Sequence, residues 1–152
     1  MKGISMNHKI LETIRYATVS TVDENGQPWA APVWYVYDDK NIYWWSPVDS
    51  QHSLNIANNP SIYITIFDST LPEGKGLGLY MRANAQVVSG TGKIEQICDL
   101  YNQSTDVFKL SLENTSENAP TRLYIAEVTK TWVNSDSEVN AEYVDTREEI
   151  EL

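Results

Sequence analysis

Hydrogen-bonding side chains and indole rings are concentrated in one short stretch of the chain. The segment YWWSPVDSQHSLNI, residues 43–56, places two adjacent tryptophans ahead of Ser46, Ser50, Gln51 and His52. If Ser50 caps a helix, the backbone N–H groups of the first turn have no intrahelical acceptor, and the helix dipole favours an anion there. The spacing therefore predicts a phosphate-binding site at the start of this helix. The plainer alternative is an ordinary capped helix with a solvated histidine.

Three indoles lie close to this segment in the sequence. Trp44 and Trp45 point to opposite faces of a strand, so one can pack in the core while the other faces a ligand or a partner. Trp34 adds a third indole on the preceding strand. A planar heteroaromatic group with a phosphate tail would use the indoles and the helix start together, and FMN is the obvious candidate.

Other chemistries fit these residues less well. Asp49, Ser50 and His52 are the residue types of a hydrolase triad, but sequence neighbours rarely converge in the required geometry. Cys98 falls on the apolar face of a helical pattern, which is typical of a buried structural thiol. One cysteine and two histidines are too few soft ligands for a structural zinc site. No metal site is therefore predicted.

Two kinds of hydrophobic periodicity alternate along the chain and predict the elements that position these groups. Extended patterns are separated by polar turns, of which Asn25-Gly26 is the strongest hairpin signal. Six or more short strands with few helices between them favour an antiparallel barrel, because parallel neighbours need crossover connections. The sequence predicts a hairpin at 16–37 and single strands at 42–46, 61–68, 79–88 and 121–133. It predicts a helix at 7–15, a second helix that Ser50 begins and Pro60 stops, and a helical segment at 92–113 with a break near Ser104. The apolar residues of the second helix are Leu54, Ile56 and Ala57.

Size and charge limit the classes of partner. With 152 residues the chain has the length of one domain, so we expect a single domain over 1–152 that ends in an acidic tail at 136–152. The net charge of −10 repels nucleic acid and anionic lipid. No apolar run reaches the length of a membrane span, and residues 1–15 lack the apolar stretch of a signal peptide. We therefore expect a cytoplasmic protein that binds neither nucleic acid nor membrane.

Four stretches of the chain, taken in order, carry a family resemblance. ATVSTVDENGQPWAAPVWYVYDD, IYWWSPVDSQHSLNIANNPSIYITIFD, GLYMRANAQVV and RLYIAEVTKTWVN resemble the pyridoxamine 5′-phosphate oxidase-like flavin-binding split barrels over residues 8–135, with SxHxxNIxxNP as the most specific element. The resemblance implies a six-stranded antiparallel split β-barrel with a few flanking helices. It also implies a homodimer that holds FMN in a groove between the two subunits.

The resemblance assigns roles residue by residue. Many relatives have Arg and Lys where this chain has Gln51 and His52, which implies weaker binding of the phosphate. A bound phosphate would also raise the pKa of His52 above its ordinary value of about 6.5. By position, the isoalloxazine ring would lie along Pro32, Val33 and Trp34, and Trp132 would cover it from the other subunit. The ribityl chain would follow Trp45 and Ser46, and the phosphate would be reached by Ser50, Gln51 and His52.

The resemblance implies an FMN-dependent oxidoreductase that exchanges a hydride with a small substrate or a nicotinamide cofactor, with no nucleophilic side chain required. The vitamin oxidase itself has a further C-terminal segment with basic residues, which this sequence lacks. Its activity is therefore not expected. Two alternatives stay open: a non-catalytic split barrel that binds flavin, deazaflavin or haem, and an interaction domain that uses the acidic tail.

Overall fold

A computed structural model describes residues 6–139 and 142–152, with side chains described for residues 9–134 and 146–152. Most of the predicted elements are present, with ends shifted by a few residues. The helices are α1 (Met6–Thr13), α2 (Gln51–Asn58), α3 (Thr91–Ser104) and α4 (Leu112–Thr115). The strands are β1 (Tyr16–Val22), β2 (Pro28–Tyr37), β3 (Asn41–Pro47), β4 (Ser61–Asp68), β5 (Leu77–Val87), β6 (Thr121–Val139) and β7 (Glu142–Ile150).

The first six strands close into an antiparallel barrel. Their order is β3-β2-β1-β4-β5-β6, and pairing of β3 with β6 joins the two ends. Alternate residues point inward, as the period of two requires, and fill the interior with Val19, Ile64, Met81 and other apolar side chains. The predicted mainly β, six-stranded barrel with a few flanking helices is confirmed.

The hairpin between β1 and β2 shows why its turn was readable from the sequence. One oxygen of the Asp23 carboxylate accepts hydrogen bonds from the backbone N–H groups of Asn25 and Gln27, each at 2.8 Å. Gly26 has a φ of +79°, a conformation that costs glycine little and other residues more. The Asn25-Gly26 tip is confirmed.

The barrel is split between β2 and β3. β2 pairs with β1 along residues 28–34, but it pairs with β3 only through Tyr35, Val36 and Tyr37. If that register continued, Pro32 would lie opposite Pro47, and neither has a backbone N–H to donate. The ladder ends at the Tyr35–Trp44 pair, and the prolines would prevent it from resuming where they meet. One backbone edge of β2 is thus left without a strand partner among the described residues.

Two predicted segments differ from the structure in instructive ways. The helical segment at 92–113 breaks after Ser104 as expected, but residues 105–111 form no helix, and α4 covers only Leu112–Thr115. Of the acidic segment at 136–152, residues 136–139 lie in the end of β6 and residues 142–150 in β7, which pairs with β6, while residues 140 and 141 lie outside the described residues. No helix in the described part of the chain is long and apolar enough to cross a membrane.

Candidate functional site

The candidate site lies where β2 and β3 diverge, at the end of the barrel that α2 covers. α2 follows β3 directly and packs against β1. Its inward face is polar: the buried side chains are those of His52, Ser53, Asn55 and Ile56. Of the three apolar residues named for this helix in the sequence, Ile56 is buried, whereas Leu54 and Ala57 are exposed. The side-chain pattern of this helix is therefore set by hydrogen bonding as much as by apolar burial.

Asn55 holds α2 against the barrel. Its side chain is 2 % exposed, and Nδ2 donates to the hydroxyl of Thr21 on β1 at 2.9 Å. Gln51 Nε2 donates to Asn55 Oδ1 at 2.8 Å. The Gln51 amide, predicted to reach a phosphate, is therefore turned along the helix toward Asn55.

Ser50 occupies the N-cap position, but its side chain does not cap the helix. Its hydroxyl lies 2.9 Å from the carbonyl oxygen of Pro47 and 2.8 Å from the hydroxyl of Ser53, within donating distance of both. The N-cap position expected for Ser50 is confirmed, but its hydroxyl is bonded to no backbone N–H of the helix. The N–H groups of the first helical turn consequently receive no acceptor from Ser50.

His52 is the centre of a small hydroxyl cluster. Its Nε2 atom lies 2.8 Å from the Ser46 hydroxyl and 3.3 Å from the Ser50 hydroxyl. The side chain is 8 % exposed, and burial lowers the pKa of His52 below its ordinary value. The imidazole is therefore neutral at neutral pH, where it exchanges hydrogen bonds with hydroxyls but brings no positive charge.

The three indoles divide between the two faces of the barrel wall. Trp44 is fully buried inside and stacks on Tyr124, with centroids 5.6 Å apart and rings inclined by 9°. Trp34 and Trp45 lie on the outer face and are half-buried against the cluster beneath α3. The prediction that Trp44 and Trp45 point to opposite faces is confirmed, and Trp44 takes the core position.

Trp45 carries an unused donor. Its indole Nε1 atom is buried and has no hydrogen-bond partner among the described residues, while its ring lies 6.3 Å from that of Phe108. By contrast, Trp34 Nε1 donates to the Ser104 hydroxyl at 3.4 Å. A buried donor without an acceptor is costly, and Trp44 Nε1 inside the barrel lacks a partner in the same way. Of the two, Trp45 lies on the outer face, where a polar ligand could accept its N–H.

Pro32 and Val33 border the unpaired edge of β2. Pro32 is exposed, whereas the Val33 side chain is buried in the barrel. These residues can therefore meet a ligand chiefly through their backbone, as the resemblance implies.

Trp132 lies elsewhere on the same subunit. Trp45 pairs with Leu123 on β6, and Trp132 is nine residues further along that strand. Its ring packs on Tyr63, with centroids 6.3 Å apart, and the Arg82 guanidinium lies 5.4 Å from its centroid. Within one subunit Trp132 is not part of the candidate site, and its predicted role in trans stays a prediction.

Arg122 is a cation near the site that sequence reasoning missed. It pairs with Ser46 in the β3–β6 register, and with Ser53 it lines a surface groove of about 430 Å³. Its guanidinium donates to the backbone carbonyls of Glu117, Ala119 and Thr121. Within the described part of the chain it has no carboxylate partner, and three of its N–H donors are already bonded to these carbonyls. Only the strand register reveals this proximity.

Comparison with solved structures supports the architecture. A heme storage protein of Vibrio cholerae, HutZ, is 18 % identical with a TM-score of 0.68, over 88 % of this chain and 95 % of that chain. An F420 reductase is 17 % identical with a TM-score of 0.61, over 82 % and 94 %. A heme binding protein of Mycobacterium smegmatis is 14 % identical with a TM-score of 0.66, over 90 % and 56 %. At these identities the similarity shows the fold alone.

None of the curated proteins matches the sequence at a significant level. The family model of pyridoxamine 5′-phosphate oxidase, in contrast, matches residues 7–133, which include α1, α2 and the barrel strands. The barrel, its split and the SxHxxNIxxNP helix all fall within this match. The chain therefore belongs to the pyridoxamine 5′-phosphate oxidase family.

Proposed function

We propose that the protein binds FMN at the split between β2 and β3 and acts as an oxidoreductase on a small substrate. The observation that carries this proposal is that three kinds of polar groups lie on the adjacent strands β2 and β3 and at the start of the helix that follows β3. They are the unpaired backbone edge of β2, the indole N–H of Trp45, and the hydroxyl cluster around His52. A flavin ring with a polar edge and a phosphate tail has acceptors for each of them.

The residues present fit such a group without a cation on α2. Ser46 and Ser50 present hydroxyls beside the first helical turn, and the neutral His52 imidazole orients them. Arg122, which lies opposite Ser46 in the strand register, would add the positive charge that Gln51 and His52 do not supply. Neutral donors and a helix start bind phosphate less strongly than a charged pair does, so we expect moderate affinity.

Bound FMN would supply hydride exchange at its ring. The chain's own residues would then bind, orient and shield it. The backbone of Pro32 and Val33 would contact the polar edge of the ring, and the Trp45 indole would donate to the chain that joins ring and phosphate. Trp34 and the segment containing Phe108 would limit the access of water to one face. No side chain is required as a nucleophile.

A second subunit would complete the site. Trp132 lies in an aromatic and basic surface on the outer face of the barrel, formed with Tyr63, Tyr80, Arg82 and Arg147. Such a surface is unusual on a chain of net charge −10, and it complements a phosphate-bearing flavin held by the partner. We therefore propose a homodimer in which Trp132 of one subunit covers the flavin of the other.

Titration of the purified protein with FMN tests the proposal. Binding is followed by quenching of flavin fluorescence, and native mass spectrometry reports the subunit count. His52→Ala should weaken binding about tenfold, because it removes two hydrogen bonds that order the phosphate-facing hydroxyls. Asn58→Ala, on the exposed end of the same helix, serves as the matched control and should leave affinity unchanged.

A preparation that stays colourless and does not bind FMN would contradict the flavoprotein assignment. A spectrum that changes on addition of haem or deazaflavin instead would support the alternative of a binding protein for those groups. If His52→Ala and Asn58→Ala change the FMN affinity equally, the hydroxyl cluster around His52 does not contribute to FMN binding.

A further inference from the structure

A groove outside the candidate FMN site lies at the end of the barrel that α1 covers. It has a volume of about 720 Å³ and runs between α1, the end of β2 and α3. Leu11, Ile14 and Leu100 are among its apolar walls, and Tyr37 contributes an aromatic ring. A groove of this size with apolar walls and a few polar groups is suited to a small organic molecule.

The groove reaches the proposed flavin ring through Trp34. Ser104 and Arg15 both line it, and both also contact Trp34. The Trp34 indole donates to the Ser104 hydroxyl at 3.4 Å, and the Arg15 guanidinium lies 5.9 Å from the Trp34 ring centroid. A molecule in the groove would therefore lie next to the end of the ring that Trp34 covers.

Acidic groups outnumber basic ones along this groove. Its lining contains the carboxyl groups of Glu12, Asp38 and Asp39 against one guanidinium, that of Arg15. The adjoining groove of about 340 Å³ adds Lys93, which lies 5.2 Å from the Tyr43 ring centroid, and Asp99. Both grooves together have four acidic and two basic groups, so their field repels anions and attracts cations.

The acidic groups differ in their availability. Burial alone would raise the pKa of Asp38, but hydrogen bonds from the Tyr43 hydroxyl, Lys40 and Asn41 together lower it, so this carboxylate is charged and its oxygens are already bonded. Glu12 and Asp39 are exposed, and neither has an ion-pair partner among the described residues. Their carboxylates are therefore free to pair with a ligand.

Glu12 and Arg15 both act on the Tyr37 hydroxyl. Burial raises the pKa of Tyr37, Glu12 adds to the rise, and Arg15 opposes it. Both charges therefore lie near Tyr37, which lines the groove. Since Arg15 also lies against the face of the Trp34 ring, part of its charge is already satisfied there.

We propose that this groove binds the substrate of the flavin, and that this substrate is a positively charged organic amine with an apolar body. The identification as substrate rests on the proposed FMN function, whereas the binding of an amine in the groove does not. A phosphate or carboxylate compound would meet Glu12, Asp38 and Asp39 at close range. The same charges would attract an ammonium group, and the apolar walls would take up its hydrocarbon part.

Three probes of similar shape and different charge test this inference. Benzylamine is a cation, benzoate an anion and benzyl alcohol neutral at pH 7, and each is titrated into the full ¹⁵N-labelled chain by two-dimensional NMR. Benzylamine should bind saturably and about fivefold or more tighter than benzoate, since each exposed charge pair contributes a factor of about two to five. The Trp34 indole N–H signal should shift, because Trp34 adjoins the groove.

Two charge-matched double variants locate the site. Glu12→Gln with Asp39→Asn should weaken benzylamine binding about fivefold and leave benzyl alcohol unchanged. Glu24→Gln with Asp106→Asn removes the same charge from exposed positions outside the groove, and it should change neither. The proposal is overturned by benzoate binding as tightly as benzylamine, by equal losses in the two double variants, or by the absence of saturable benzylamine binding. An FMN titration of the same samples separates this outcome from failure of the flavin assignment.

Discussion

Replacement of Asn55 tests how α2 is held at the split in the barrel. Asn55 and Thr21 are each 2 % exposed, and a hydrogen bond of 2.9 Å joins them. Asn55→Leu keeps the number and branching of the side-chain heavy atoms but leaves the Thr21 hydroxyl with one remaining contact, to the Trp29 carbonyl at 3.5 Å. A buried polar group without a good partner costs about 1–3 kcal/mol, so we expect a loss of about 2 kcal/mol in the free energy of unfolding.

A double-mutant cycle makes this expectation specific. Thr21→Val leaves the Asn55 amide N–H without its acceptor and should cost a similar amount. The double variant Asn55→Leu with Thr21→Val removes both polar groups, so its loss should be about 1.5 kcal/mol smaller than the sum of the single losses. Urea unfolding followed by tryptophan fluorescence gives each free energy, and each single change should lower Tm by about 4–8 °C.

Asn58→Leu is the control for this cycle. Asn58 lies on the exposed side of the same helix, where a substitution should change the free energy of unfolding by less than about 0.5 kcal/mol. Single losses that simply add, or an Asn55→Leu loss as small as that of Asn58→Leu, would refute the view that this buried bond positions α2.

Three further predictions follow from the same structure. Burial lowers the pKa of His52, so the unfolded chain takes up a proton first. The contribution of His52 to stability is therefore complete above about pH 6.5 and is lost as the pH falls toward the lower pKa of the folded state. Between pH 7.5 and pH 5.5, the free energy of unfolding in urea should fall more in the native chain than in His52→Gln. Equal decreases in the two chains would contradict this prediction. Tyr35→Phe removes a hydroxyl that donates to the carbonyls of Leu11 and Ile14 at 3.1 and 2.8 Å, and should cost about 1–2 kcal/mol in thermal unfolding, whereas Tyr16→Phe at an exposed site should cost almost nothing. Trp45→Phe removes an unpartnered donor, so the free energy of unfolding should change by less than about 1 kcal/mol while FMN affinity falls about fivefold. Unchanged FMN affinity in the fluorescence titration would show that Trp45 does not contact the flavin.

The strands and the turn were predictable because each depends on local physics. The alternation in SIYITIFD gives β4 its inward Ile62, Ile64 and Ile66, since successive side chains point to opposite faces. The Asn25-Gly26 tip needs only a residue that tolerates a positive φ and a nearby acceptor, which Asp23 provides. Such features involve neighbours in sequence and are therefore readable from it.

The polar contacts of α2 were not predictable in the same way. Leu54 and Ala57 suggest an apolar inward face, yet Thr21 and Ser46 supply buried hydroxyl partners that turn Asn55 and His52 inward. Ser50 has the right residue type and position for a cap, but a neighbouring carbonyl and the Ser53 hydroxyl compete for it. Because these competitors come from other elements or from the detailed path of the chain, periodicity alone does not weigh them.

The sequence by itself determined the strand pattern, the position of α2 after β3, the family and the list of candidate site residues, because these depend on periodicity and local residue order. Tertiary structure decided which residues meet: the register that opposes Ser46 to Arg122, the separation of Pro32 from Pro47, and the placement of Trp44 inside the barrel with Trp45 outside. Register is a property of paired strands and burial a property of the closed barrel, so neither exists until distant parts of the chain come together.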